Sequence, residues 1–159
     1  MPCNYFNRLH LIWMSTKTVQ GKLWSIAPRY WSRHIEPYFL RKYHEVFSKV
    51  KLNHETLLLD AGCGSGLFSS LAIKKNTQVI GIDAAPGLLK IARERNPKNN
   101  FMKDDLESIA FNSDSFNIIT GFNSFQYAGS FENLLTPGKA RIENRRALGA
   151  GHLGQTRIE

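Results

Sequence analysis

The sequence of 159 residues has little of what several classes of protein need. It contains two cysteines, Cys3 and Cys63, which excludes a disulfide framework and predicts a reducing, cytoplasmic location. No apolar run approaches the roughly 20 residues that span a bilayer, and the apolar cluster at residues 11–14 is too short for a signal-peptide core. Internal repeats are absent. With 42% hydrophobic and 21% charged residues, the composition is that of one globular domain.

The net charge of +8 comes from the two ends of the chain, and the middle is close to neutral. Residues 1–50 carry eight basic and two acidic side chains, residues 51–137 carry eight and nine, and residues 138–159 carry five and two. A nucleic-acid-binding domain more often has a basic stripe, interleaved with aromatic residues, on its folded body. We therefore do not expect a nucleic-acid partner.

The chain divides into three regions. Residues 1–50 form an aromatic-rich segment, within which we expect residues 1–13 to be an extension that contributes nothing to the fold. Residues 51–137 alternate short apolar runs with helical patterns, and residues 138–159 form a basic tail that shows neither. In the first region, one predicted helical face contains Phe39, Tyr43, Val46, Phe47 and Val50. This pattern is typical of a helix packed on a sheet, and a cap over an active site is the alternative.

The middle region predicts strands alternating with helices. Apolar runs indicate strands at 57–60, 78–82, 100–102 and 116–120, and helical patterns begin at Leu67 and Pro86. Strands and helices of these lengths build βαβ units. The predicted fold is therefore α/β, a Rossmann-like, doubly wound parallel sheet preceded by a helical segment.

A glycine-rich turn follows the first predicted strand. It reads Asp60-Ala61-Gly62-Cys63-Gly64-Ser65-Gly66 and opens a helix. Glycine is needed where a chain turns sharply and its backbone approaches a ligand, and the helix directs its free N–H groups there. Asp83 ends the next strand, where a carboxylate can accept hydrogen bonds from both hydroxyls of a ribose. Together these features predict a nucleoside site.

The glycine spacing distinguishes between nucleosides. A dinucleotide fingerprint is G-x-G-x-x-G, whereas this turn is G-x-G-x-G with Asp60 just before it. That acid repels a pyrophosphate but suits the ammonium and sulfonium of S-adenosylmethionine. An NAD-dependent oxidoreductase is the disfavoured alternative. Cys63 has no histidine nearby in sequence, and we expect a small buried thiol, not a nucleophile.

Residues 58–66 and 104–111 resemble two motifs of the class I S-adenosylmethionine-dependent methyltransferases, more narrowly the small-molecule branch related to quinone biosynthesis. The resemblance covers roughly residues 20–133; Ala110 and Asn117 depart from it without removing a cofactor contact. It implies that the turn holds the methionine part, Asp83 the ribose and Asp105 the adenine. The implied cofactor site comprises Asp60, Ala61, Gly62, Cys63, Gly64, Gly66, Asp83, Ala84, Asp105, Leu106 and Asn123.

The resemblance implies methyl transfer from S-adenosylmethionine to a small-molecule acceptor that the sequence does not identify. The protein must align the acceptor and exclude water, and a base is needed only when the acceptor loses a proton. No catalytic residue and no metal is assigned. The candidate bases by position are Tyr30, His34, Glu36 and Tyr127. Trp24, Tyr30 and Trp31 form either an acceptor pocket or core.

The resemblance ends after the fourth strand, whereas the family's sheet has seven. We expect residues from about 134–138 onward to be an out-of-frame product, since shifted codons can spell the family's next motif; a natural basic tail is the alternative. Resequencing the coding DNA tests this. Half a sheet leaves its central edge strand unpaired, so we expect marginal stability and weak activity. The alternative function is an inactive nucleoside-binding module.

Overall fold

The structure, a computed structural model, describes residues 16–106, 115–125 and 148–149. The helices are α1 (Thr16–Trp24), α2 (Leu40–Lys49), α3 (Leu67–Ile73) and α4 (Pro86–Arg95). Between α1 and α2 lie three short helical turns, Pro28–Tyr30, Trp31–Ile35 and Glu36–Phe39, which we call the bridge segment. The strands are β1 (Leu57–Ala61), β2 (Gln78–Asp83), β3 (Asn100–Lys103), β4 (Ile118–Gly121) and β5 (Leu148–Gly149). Within these residues, no helix is long and apolar enough to cross a membrane.

All five strands pair in parallel, in the order β3-β2-β1-β4-β5. β1 lies at the centre, with Leu58 opposite Val79 of β2 on one side and Ile118 of β4 on the other. The strand order turns back at β1, because β2 and β3 extend the sheet to one side and β4 to the other. This topology confirms the predicted Rossmann-like α/β fold and places a crevice at the carboxyl ends of β1 and β4.

Two predictions about the edge of the sheet are corrected. The tail at 138–159 was expected to lack strands, but Leu148 and Gly149 pair with Thr120 and Gly121, so the outer edge of β4 is not wholly unpaired. A strand of two residues is too short to show a side-chain period, and its ladder depends on backbone groups alone. β4 also begins at Ile118, later than predicted. Before it, Asn117 holds the start of β1 with both backbone and side chain: its N–H donates to the Leu57 carbonyl at 2.9 Å, and its Oδ1 accepts the Leu57 N–H at 2.7 Å.

The sheet is covered on both faces. Leu58 and Leu59 of β1 are both fully buried and belong to different apolar clusters, because successive side chains of a strand point to opposite faces. α2 lies on the Leu58 face, where the Tyr43 ring meets those of Phe68 and Phe122 at 5.3 and 4.7 Å. The prediction that this helix packs on the sheet is confirmed.

Local backbone conformation explains where α3 ends and where α4 begins. Asn76, at φ 60°, takes the left-handed conformation that stops a helix soon after α3. Pro86 stands in the first turn of α4, where its missing N–H costs nothing. Together these two helices leave the glycine turn and the end of β2 facing the same edge of the sheet. The predicted extension at residues 1–13 lies outside the described residues.

Candidate functional site

A cleft opens at the carboxyl ends of β1, β2 and β4. It encloses about 540 Å³, a volume that includes the open solvent at its mouth. Gln20 and Trp24 of α1 and Trp31 of the bridge segment form one wall, so the N-terminal helices complete a cleft that the sheet begins. The full lining is Gln20, Trp24, Trp31, Gly62, Gly64, Asp83, Ala84, Leu88, Leu106, Phe122, Asn123 and Ser124.

The glycine turn is shaped by close packing on both sides. Gly62 has φ 80°, and a Cβ there would lie 2.2 Å from the Cβ of Ser124. Gly66 has φ 78°, and its Cβ would lie 2.9 Å from that of Ala92. Both conformations and both contacts require glycine. The turn is tied to β2, because the N–H groups of Gly62 and Cys63 both donate to the carbonyl of Ile82, at 2.8 and 2.9 Å.

The Asp83 carboxylate is fixed at the floor of the cleft. Its Oδ2 accepts the backbone N–H of Gly64 at 2.8 Å, and its Oδ1 accepts that of Ala85 at 2.8 Å. Burial raises the pKa of Asp83, and these backbone hydrogen bonds act in the opposite direction. Each carboxylate oxygen has two lone pairs, so one on each is left for a ligand.

Asp60 points elsewhere. It is 1% exposed, and its Oδ2 accepts the Ser69 hydroxyl at 2.5 Å while Thr120 lies 3.5 Å from its Oδ1. Burial raises the pKa of Asp60 from 3.8 to about 7; the Ser69 hydrogen bond opposes this and the charge of Asp83 adds to it. Its carboxyl group therefore lies between the sheet and α3 and does not line the cleft.

The structure brings part of the predicted site together. The predicted residues that line the cleft are Gly62, Gly64, Asp83, Ala84, Leu106 and Asn123. Those that do not are Asp60, Ala61, Cys63, Gly66 and Asp105. Cys63 belongs instead to an apolar cluster, and burial raises the pKa of its thiol. Its predicted character as a small buried thiol agrees with this placement, whereas the role of each residue toward a cofactor stays a prediction.

Some cleft residues had no assigned role in the sequence. Trp24 and Trp31, left open between acceptor pocket and core, both line the cleft and meet edge to face at 4.8 Å. Phe122 lies with Asn123 at the end of β4, where the family resemblance implies the methyl-transfer site. Ser124 follows them, and the rule that ligands bind at carboxyl strand ends could have found it. The remaining two are Gln20 and Leu88, and no spacing in the sequence indicates either.

The three candidate bases that the structure describes do not line the cleft. Tyr30 is 61% exposed and contacts the ring of His34, and Glu36 is buried in an ion pair with Arg95. Tyr127 lies outside the described residues. Within the part of the chain that the structure describes, Asp83 is the only titratable side chain lining the cleft, and no group of His, Cys, Asp or Glu is arranged to hold a metal ion.

Comparison with known proteins agrees with this site. The family model described as a methyltransferase domain matches residues 58–136. The chain is 40% identical over 52 residues to malonyl-[acyl-carrier protein] O-methyltransferase of Serratia marcescens, covering 33% of this chain and 20% of that protein. It is 27% identical over 139 residues to demethylmenaquinone methyltransferase of Chlorobaculum tepidum, covering 78% of this chain and 57% of that protein. It thus spans well under two thirds of either relative.

A solved structure shows the same fold. The S-adenosylmethionine-dependent methyltransferase of Mesorhizobium loti superposes with a TM-score of 0.55 at 22% identity, covering 59% of this chain and 45% of that one. The family match begins within β1 and includes the glycine turn and Asp83, the features that build the cleft. The chain therefore belongs to the class I S-adenosylmethionine-dependent methyltransferases.

Proposed function

We propose that the cleft binds S-adenosylmethionine and that the protein transfers its methyl group to a small-molecule acceptor. One observation carries the proposal: a fixed carboxylate, Asp83, stands beside the glycine turn at the carboxyl ends of adjacent parallel strands. In open α/β sheets this is the position at which nucleoside ligands bind. The G-x-G-x-G spacing and the family favour this cofactor over NAD.

The residues present fit the cofactor. The lone pairs left on Asp83 can accept the two ribose hydroxyls. Gly64 has φ 54°, and a Cβ there would make van der Waals contact with Glu36 Oε1 and Trp31 Nε1, both at 4.0 Å. Because Gly64 has no side chain, the methionine part of the cofactor can approach the backbone closely at this position. Leu88 and Leu106 offer apolar surface to the adenine.

The sulfonium of S-adenosylmethionine supplies a methyl group with an activated leaving group. What remains for this chain is to bind, orient and exclude water. Trp24 and Trp31 cover the N-terminal side of the cleft and keep water from it. Among the described residues that line the cleft, Asp83 is the only titratable one, and we propose no general base.

The acceptor itself is proposed only as a class. The two relatives named above act on an acyl group of a carrier protein and on demethylmenaquinone, by their names. Acceptors therefore differ among relatives that share the cofactor-binding part. We propose a small organic acceptor that enters beside the Trp24–Trp31 pair.

The test is calorimetric titration of the full chain with S-adenosylmethionine and, separately, with NAD. We expect saturable binding of the first and none of the second. Asp83→Asn should weaken binding about 100-fold, because hydrogen bonds from two ribose hydroxyls to a charged acceptor are each worth about 1.5–3 kcal/mol. Glu45→Gln, which removes an exposed carboxylate on α2, is the control.

Each variant is first shown to melt as the parent does, because Asp83 also accepts two backbone N–H groups. Binding of NAD in place of S-adenosylmethionine would overturn the proposal, and so would an Asp83→Asn variant with parental affinity. A folded chain that binds neither nucleotide would likewise end it.

A further inference from the structure

A buried ion pair joins the bridge segment to the end of α4. Arg95 Nη1 donates to Glu36 Oε2 at 2.6 Å, and the side chains are 28% and 4% exposed. Glu36 Oε2 also accepts the Ser65 hydroxyl at 2.5 Å. A buried charge pair is costly to desolvate and is held in place only by further hydrogen bonds of this kind.

The other hydrogen bonds of the pair go to two serines and to the backbone of α3, where Glu36 Oε1 accepts the Leu67 N–H at 3.4 Å. Arg95 donates to the carbonyl and hydroxyl of Ser65, both at 3.0 Å, and to the hydroxyl of Ser32 at 2.7 Å. Ser32 directly follows Trp31, and Ser65 directly follows Gly64. Arg95 therefore binds the chain next to two residues of the cleft lining, Trp31 and Gly64. It links the bridge segment to the glycine turn.

Trp31 and Gly64 lie close together beside this ion pair. The position of a Cβ on Gly64 lies 4.0 Å from Trp31 Nε1 and 4.0 Å from Glu36 Oε1. Trp31 lies in a π-helical turn, Trp31–Ile35, a wound-out geometry that often occurs at functional sites. Leu88 and Leu106 line the cleft away from this network, and among the described residues no hydrogen bond joins them to it.

We propose that Glu36 and Arg95 are positioning residues that hold Trp31 against the glycine turn, and that they set the affinity of the cleft for the methionine half of the cofactor and not for its adenosine half. This inference rests on the proposed function. A general stabilising role would change the affinity for both halves of the cofactor, whereas this role changes the affinity for the methionine half alone.

The experiment compares two ligands that differ by the amino-acid end. S-adenosylhomocysteine carries both halves, and 5′-methylthioadenosine carries the adenosine and sulfur only. In Glu36→Gln we expect S-adenosylhomocysteine to bind about tenfold more weakly, as for the loss of one charge-assisted contact, while 5′-methylthioadenosine changes less than about twofold. The ratio of the two dissociation constants is the readout, because a merely structural role would not move it.

Two further variants keep the test decisive. Arg29→Gln is the matched control, because Arg29 and Glu94 join the same two elements by an ion pair at 3.5 Å that is 61% and 44% exposed. We expect it to leave both affinities unchanged. Trp31→Phe keeps an aromatic ring, smaller than indole, and removes the indole N–H, and we expect the same selective loss as in Glu36→Gln without disturbing the ion pair.

The outcomes separate this inference from the function beneath it. If the parent chain binds neither ligand, the proposed function fails. If the parent binds both and Glu36→Gln and Trp31→Phe weaken both equally or neither, the cleft binds the cofactor but the positioning role is overturned. A selective loss that also appears in Arg29→Gln would contradict it as well.

Discussion

The ends of β1 and β2 carry the same chemical group in different surroundings. Asp60 and Asp83 stand near the carboxyl ends of neighbouring parallel strands, where Asp60 pairs with Gly81 and Asp83 with Lys103. Asp60 faces side-chain hydroxyls between the sheet and α3, whereas Asp83 faces backbone N–H groups at the cleft. Position at a strand end therefore does not by itself make an acid a ligand-binding residue. The hydrogen-bond donors around the carboxylate determine whether it faces the cleft or the interior.

The difference follows from the direction of each side chain. β1 is covered on both faces, so a side chain one residue from the strand end can enter either layer. The hydroxyls of Ser69 and Thr120 are already in the layer that Asp60 enters. Asp83 is the last residue of β2, where the chain leaves the sheet and the carboxylate emerges beside Gly64.

The largest expected effect is on stability against pH. The pKa of Asp60 is about 7 in the folded chain against 3.8 when unfolded, so the folded state holds its proton more tightly. The stability that this supplies is complete below pH 4 and is lost as pH rises through 7. At 1.36 kcal/mol per pKa unit, the loss is about 4 kcal/mol. Denaturant melts of the parent and Asp60→Asn at pH 4.5 and 7.5 should show a flatter dependence in the variant.

Binding by the same variant sharpens the comparison. Asp83 also has a raised pKa, so some slope should remain in Asp60→Asn. That variant should bind S-adenosylhomocysteine as the parent does, because its side chain does not line the cleft, while Asp83→Asn should bind it about 100-fold more weakly. A parent whose stability rises between pH 4.5 and 7.5, or an Asp60→Asn variant that loses binding, would erase the distinction between the two acids.

The next effect is on packing at the end of β1. Gly62→Ala should destabilise the fold by about 3 kcal/mol, from the left-handed backbone and the contact with Ser124. Ser124→Gly removes the opposing Cβ at the cost of the Ser124 hydrogen bond to the Ala61 carbonyl. Urea unfolding of the double variant should cost less than the two single losses added together. Strict additivity would show that the two residues do not press on one another.

The smallest effect concerns Cys63, which lies between the two acids along the chain. Burial, then the charges of Asp83 and Asp60, raise the pKa of its thiol. In Cys3→Ser, with Cys63 alone, an aromatic disulfide reagent at pH 8 should react at least about tenfold more slowly than with free cysteine. Reaction in urea at the free rate is the control. Fast reaction of the folded chain would mean that this turn is open to solvent.

The sequence predicts the parts of this molecule that local chemistry determines. Glycines between a strand and a helix, with Asp83 one strand later, define the turn and the floor of the cleft without knowledge of the rest. The N-terminal wall could be predicted only in part: the sequence leaves Trp24 and Trp31 open between acceptor pocket and core, and no periodicity reports the contact between Glu36 and Arg95 beside them. Likewise β5 depends on backbone pairing of two residues, and Asp60 on the layer its side chain enters.

The contact between Arg95 and Glu36 also has a consequence for folding during synthesis of the chain. Glu36 and Arg95 are 59 residues apart, and Ser65 lies between them along the chain. While a ribosome produces the protein, the bridge segment emerges long before its anchor exists, and it cannot dock until α4 is complete. The wall of the cleft that is first in sequence therefore gains its anchor only after the glycine turn and Asp83 have been made, and the cleft residues at the end of β4 follow later still.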